Sequence, residues 1–182
     1  MLFFRDQDIT REQQIAFARR FGDLGVHPFA SRHEHPELLM IAHAENNRGK
    51  ENTWHSDVTW RLQPSLGSIL RAIEVPTVGG RYAVGRPACG LRGVGDSMKQ
   101  ALSSLTAVHD FSRVFGSGLP AEKPDPLKRE YPPAQHPVVR THPETSEESL
   151  YLERAVQHSA VFDYFLHRRE MYRVTIVGDT PV

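Results

Sequence analysis

Short apolar runs separated by polar, proline- and glycine-containing stretches dominate the chain. Residues 1–5 are apolar and aromatic and predict a short strand. Thr10 with Gln13 forms the sequence of a capping box, predicting a helix to about Arg20. Ile15, Ala18 and Phe21 give that helix an apolar face, and Gly22 ends it. Residues 38–44 form a run suited to a buried strand, and the polar stretch 46–52 a loop. Across 67–75, Ile69, Arg71 and Ile73 alternate against Leu70, Ala72 and Glu74, as a strand requires. Residues 76–80 are a turn. Asp96 is positioned to cap a second helix in which Met98, Leu102 and Leu105 share one face. Residues 107–115 predict a strand, and 116–135, with five prolines, a long connection. Strands are further expected at 136–141, 149–152 and 171–177. No segment repeats. Short strands, long connections and few helices predict a mainly β protein, an antiparallel sandwich or jelly roll rather than a doubly wound sheet.

Composition narrows the function classes. With 182 residues the chain suits one domain with a substantial apolar core. Lys+Arg and Asp+Glu balance at 22 each, so no global field draws it to nucleic acid or an anionic membrane. No basic stripe or stacking platform for a nucleic acid is visible. There is no apolar run near ~18 residues and no signal-peptide pattern at the start, which makes a cytoplasmic enzyme the default expectation. A single cysteine, Cys89, excludes an internal disulfide and a thiolate-clustered metal site. The 10 histidines stand out, because imidazole is the commonest transition-metal ligand.

Among them, Trp54-His55-Ser56-Asp57 has metal-site spacing. In an extended segment residues i and i+2 share a face, so His55 and Asp57 could ligate one ion. One imidazole and one carboxylate are two thirds of the 2-His-1-carboxylate set that holds Fe(II) and leaves open positions opposite. Alone the motif is weak, since chance ordering yields roughly half a His-x-Asp in such a chain. His33-Glu34-His35 is a rival pair, better read as a solvated loop.

The context of the motif adds more. Asn52-Thr53-Trp54-His55-Ser56-Asp57-Val58-Thr59-Trp60 resembles the iron-binding strand of the taurine dioxygenase (TauD/TfdA) family. Arg5-Asp6-Gln7, the helix after it and Arg20-Phe21-Gly22 resemble that family's early segment. His136-Pro137-Val138-Val139-Arg140-Thr141-His142-Pro143 is similar to its second hallmark, and the run from Gln157-His158 through Arg169, Met171, Arg173 and Gly178-Asp179 to its third. The resemblance implies an Fe(II)- and 2-oxoglutarate-dependent dioxygenase on a double-stranded β-helix (a cupin-like jelly roll). It implies His55, Asp57 and His158 as metal ligands, and Arg169 as the residue binding the far carboxylate of 2-oxoglutarate. A guanidinium suits that task because it forks onto a carboxylate with two charge-assisted hydrogen bonds. Arg173, four residues on and on the same strand face as Arg169 and Met171, would take an anionic substrate group. His27 and Phe115 would line the substrate side, although a core role for Phe115 is equally open. Arg168 is better read as a surface ion pair. The expected reaction consumes O2 and 2-oxoglutarate, releases succinate and CO2, and hydroxylates a small organosulfur-type anion beside sulfur or oxygen, giving an aldehyde and sulfite or sulfate. A dimer or tetramer is the family expectation.

Two stretches depart from the family. Residues 81–95 hold four glycines, three arginines and a proline, poor material for a buried strand and helix, and Tyr82 stands where the family has a threonine helping to hold 2-oxoglutarate. A local double frameshift would account for this stretch. Near 153–156 a segment of several tens of residues is expected and not found, and the strands preceding residues 2–4 are likewise missing. The expectation is therefore one domain over 1–182, with an incomplete jelly roll and no strand to deliver His158. The alternatives are a non-catalytic remnant and a cupin-like metal-binding module.

Overall fold

The computed structural model describes residues 1–28, 34–43, 55–76, 81–85, 87–112, 129–152, 158–161 and 169–178; for 81–83, 87, 158–161 and 169 it describes the backbone alone. The described residues are mostly β with few helices and divide into two compact units.

The first unit comprises Met1–Arg48, Ser65–Val78 and Asp163–Gly178. Its centre is β10 (Arg169–Val177), whose alternation of Met171, Arg173 and Thr175 against Tyr172, Val174 and Ile176 gives it two distinct faces. One edge of β10 pairs antiparallel with β3 (Ser65–Glu74). The other edge is shared by β2 (Leu38–His43) and β1 (Leu24–Gly25), both antiparallel. Helix α1 (Arg11–Ala18) packs on the Tyr172 face. Thr10 caps it as predicted, its hydroxyl accepting from the Gln13 N–H while the Gln13 side chain accepts from the Thr10 N–H. Ile15 and Ala18 meet Leu38, Tyr172 and Val174, with Leu24 and Ile69 at the margin. Each large side chain removed from water here contributes about 1.5–3 kcal/mol, which holds an otherwise marginal two-turn helix on the sheet.

The helix ends two residues before the predicted Arg20, and Phe21 is exposed rather than on the apolar face. Gly22 then adopts φ +143°, and a Cβ there would sit 3.4 Å from Ile176 Cγ2, so glycine permits both the backbone reversal and the approach to β10. Residues 1–5 are not a strand. Leu2 and Phe3 are 82% exposed and find no ladder partner among the described residues, while Phe4 sets its ring edge-on to Phe17 at 6.3 Å.

The second unit comprises Gly49–Pro64, Gly79–Phe162 and Asp179–Val182. Its described residues form three antiparallel ribbons. They pair β4 (Arg81–Val84) with β9 (His158–Val161), β5 (Thr106–His109) with β6 (Ala134–Pro137), and β7 (Val139–Thr141) with β8 (Glu148–Leu150). The predicted strand 136–141 is thus broken at Val138, whose N–H turns to the Leu105 carbonyl while its own carbonyl accepts from Tyr151 N–H. Trp60, Ala88, Leu91, Phe111, Ala134, Val138 and Tyr151 are its buried apolar residues.

Sequence expectation fails most clearly between residues 81 and 95. That stretch forms β4 and helix α2 (Pro87–Arg92), with Ala88 and Leu91 buried and α2 packed on β8. Two apolar positions three apart suffice to anchor one turn once a strand lies beneath them. Asp96 does not cap the next helix; Gly95 occupies the N-cap, and Asp96 opens α3 (Asp96–Ser103). No residue of α3 is buried, so Met98 and Leu102 do not build a core face. The predicted loop 46–52 and most of 116–135 lie outside the described residues.

Candidate metal centre

The segment preceding β3 carries the first two predicted ligands, though not as a simple strand. Among its described residues, only His55 makes a bridge contact of the β type; residues 57–60 form a turn. The turn still brings the pair together, with His55 Nε2 3.6 Å from Asp57 Oδ1 and the two side chains 26% and 21% exposed. Neighbouring ligands on an ion bound at about 2.1 Å lie about 3 Å apart, so a small rotation lets both atoms reach one ion. An imidazole nitrogen and a carboxylate oxygen, half-buried and convergent, fit ferrous iron.

Val58 closes the turn with φ +60°, a conformation that costs a β-branched residue about 1–3 kcal/mol. Three contacts hold it. Arg61 N–H donates to the Val58 carbonyl at 3.2 Å. Trp60, 6% exposed, is wedged edge-on against Phe111 at 4.7 Å and Tyr131 at 4.9 Å. Beneath the turn, His136 Nε2 lies 2.8 Å from the Thr59 carbonyl and 3.0 Å from the Arg61 carbonyl.

His136 belongs to a buried cluster to which the sequence reading assigned no role. In the β5–β6 ribbon, His136 faces Ala107 and His109 faces Ala134, so the two histidines are diagonal neighbours on one face. Their rings meet edge-to-face at 5.1 Å, and Tyr151 stacks on His109 at 5.5 Å and meets His136 edge-on at 5.4 Å. Burial, and then the charge of His136, push the His109 imidazole down to about 4. Burial likewise lowers His136, against the two carbonyls that favour its protonated form. Burial pushes the Tyr151 phenol up to about 12, opposed by the Arg140 guanidinium 5.4 Å above its ring. Alternating polarity around His109 and His136 was the available signal; their pairing across the chain was not.

The remaining predicted residues are placed as follows. The backbone of His158 opens β9, paired with Val84, and the residues before it, 153–157, lie outside the described residues. The His158 side chain lies outside the described residues, and among those residues no group of three His, Cys, Asp or Glu gathers for a metal. Arg169 begins β10 with its backbone opposite His43, and Arg173 is paired with Leu39 and Leu70. Met171 and Arg173 are alternate residues of β10, on the face opposite Tyr172 and Val174, which pack on α1. His27 is half-buried just after β1. Phe115 and Arg168 lie outside the described residues, as does the side chain of Tyr82. Of the rival pair, His33 is also outside them, and His35 is in an ion pair with Glu12 at 2.9 Å.

Comparison with known proteins meets this geometry. The family model described as taurine catabolism dioxygenase TauD, TfdA family, matches residues 1–164. The (S)-phenoxypropionate/alpha-ketoglutarate-dioxygenase of Sphingobium herbicidovorans is 30% identical over 175 residues, covering 85% of this chain and 58% of the relative. The alpha-ketoglutarate-dependent sulfate ester dioxygenase of Pseudomonas putida is 27% identical and covers all of this chain and 78% of the relative. A taurine dioxygenase structure from Burkholderia xenovorans superposes with TM-score 0.76 at 27% identity, covering 98% of this chain and 76% of that one. The chain belongs to the TauD/TfdA family of 2-oxoglutarate-dependent dioxygenases. It spans little more than half the length of the phenoxypropionate relative. No helix among the described residues is long and apolar enough to cross a membrane.

Proposed function

We propose that this chain forms the iron centre of an Fe(II)/2-oxoglutarate dioxygenase that oxidises a small anionic substrate, on a jelly roll shortened near 153–156. The observation carrying this reading is the 3.6 Å approach of His55 Nε2 to Asp57 Oδ1 at a half-buried turn, in a chain of this family. His55, Asp57 and His158 hold the metal. Bound ferrous iron, with 2-oxoglutarate and O2, supplies the oxidising power, and succinate and CO2 leave as co-products. Arg169 orients the cosubstrate by a two-pronged grip on its far carboxylate. Arg173 takes the anionic group of the substrate, with His27 and Phe115 beside it. Relatives named for sulfate esters and for phenoxypropionate make an alkyl sulfate, sulfonate or aryloxyalkanoate the substrate class to test.

The test is an anaerobic titration of the full chain with Fe(II) and 2-oxoglutarate, followed by succinate measurement in air. A weak visible charge-transfer band and succinate release are expected. Asp57→Asn should abolish both, and Arg169→Lys should raise the KM for 2-oxoglutarate about tenfold or more while the metal still binds. Metal binding without any response to 2-oxoglutarate would leave a metal-binding module, and neither signal a non-catalytic remnant.

A further inference from the structure

We propose that His136 is a positioning residue of the candidate metal centre, its buried imidazole clasping the carbonyls on either side of Trp60 so that the turn presents Asp57 to His55. The inference rests on the iron reading above and adds a residue outside the ligand set.

The chemistry of the contact is unambiguous. Both partners of Nε2, Thr59 O at 2.8 Å and Arg61 O at 3.0 Å, are carbonyl oxygens that can only accept. Nε2 therefore carries a proton and donates, shared between the two. The donor is 1% exposed, and Thr59 is 3% exposed, so water cannot substitute for it. The ring cannot turn away easily, because His109 and Tyr151 meet it edge-on at 5.1 and 5.4 Å. His109 takes part differently. It is fully buried, and among the described residues neither of its ring nitrogens has a hydrogen-bond partner, so there it contributes shape to the cluster rather than a polar contact.

What the clasp opposes is visible at the residue next to the predicted ligand Asp57. Val58, at φ +60°, would move to the right-handed or extended region if the turn were released, and Asp57 would swing with it. The approach of Asp57 to His55 is therefore not maintained by the turn's own preferences. Among the described residues, anchors placed after the turn oppose that release: Trp60 supplies burial and His136 supplies direction.

Four proteins test this: the full wild-type chain, His136→Phe, His136→Gln and His109→Phe. Co(II) affinity and its visible d–d spectrum are recorded for each, together with hydrogen exchange of the 57–61 amides without metal. His136→Phe should weaken Co(II) binding about 10–100-fold and speed exchange of the Arg61 amide. His136→Gln, whose amide can still donate, should recover part of both. His109→Phe keeps the packing and should match the wild type. Equal Co(II) affinity and equal exchange in a folded His136→Phe would overturn the proposal, as would an identical loss in His109→Phe. If the wild type itself ignores Co(II), the iron reading fails, and the exchange data still decide whether His136 holds the turn.

Discussion

Val58 is the least comfortable residue of the site. A β-branched side chain at φ +60° crowds its own backbone, and glycine would not. Val58→Gly should therefore leave stability unchanged or raise it by up to about 1 kcal/mol, despite the lost side chain, because relief of strain offsets the extra freedom of the unfolded chain. Urea denaturation followed by tryptophan fluorescence measures this; a loss above about 1 kcal/mol would show that the valine packs usefully. Residue by residue, His55 and Asp57 were legible because two apart in the chain is close in space in either a strand or a turn. The left-handed valine between Asp57 and the clasp was not, since it is imposed by Trp60 and His136 from outside the segment. His136 itself stood in the sequence as part of a family-like run, but nothing local to it says that its ring reaches the carbonyls of Thr59 and Arg61.

At the scale of elements, α1 is tied to the sheet by polar side chains as well as by its apolar face: Arg11 donates to the Tyr172 hydroxyl, and Gln14 reaches two strands. Gln14 is fully buried, and its Nε2 donates to the carbonyls of Ile69 on β3 at 3.1 Å and Tyr172 on β10 at 3.0 Å. Gln14→Leu keeps the volume but leaves both carbonyls without that donor, and should cost about 1–3 kcal/mol. Far-UV circular dichroism during urea denaturation is the measurement; an unchanged midpoint would mean that water or a neighbour replaces the amide. The elements of this unit were largely readable. The capping box, the β2 run and the alternation along β3 and β10 are local signals that agree with the tertiary structure. The β4–α2 stretch was misread because its glycines and arginines argue against regular structure. Ala88 and Leu91 nevertheless gain more from burial than the local preferences take away. The N-terminal run erred the other way, since four apolar residues make a strand only where a neighbour offers a free ladder.

For the whole molecule, Lys+Arg and Asp+Glu balance at pH 7, and the net positive charge that grows as pH falls adds a general self-repulsion to the effects of particular buried groups. His109 is the first of them. Its imidazole titrates near 4 in the folded chain and near 6.5 when unfolded, so below 6.5 only the unfolded chain takes up the proton. Stability is therefore complete above about pH 6.5 and falls as pH drops toward 4, by on the order of 3 kcal/mol for a shift of this size. His136, also lowered by burial, steepens the same slope. His109→Phe should flatten the dependence between pH 7 and pH 4.5. Trp60, buried in the same unit as His109, reports the relevant transition by its fluorescence. An unaltered slope would place the acid-sensitive group elsewhere.

The pairing of β4 with β9 has a further consequence for how such a chain can change over generations. His158 occupies a ladder position opposite Val84, and neighbouring residues of a strand project to opposite sides. A single residue gained or lost that slides β9 along β4 would exchange His158 for Ser159 at that position and cost the centre its third predicted ligand without unfolding the ribbon. Length changes in the connections before 81 and before 158 spare the centre only when the connection, and not the ladder register, absorbs them. Iron affinity would then serve as a sensitive reader of insertions and deletions that a stability measurement would pass unnoticed.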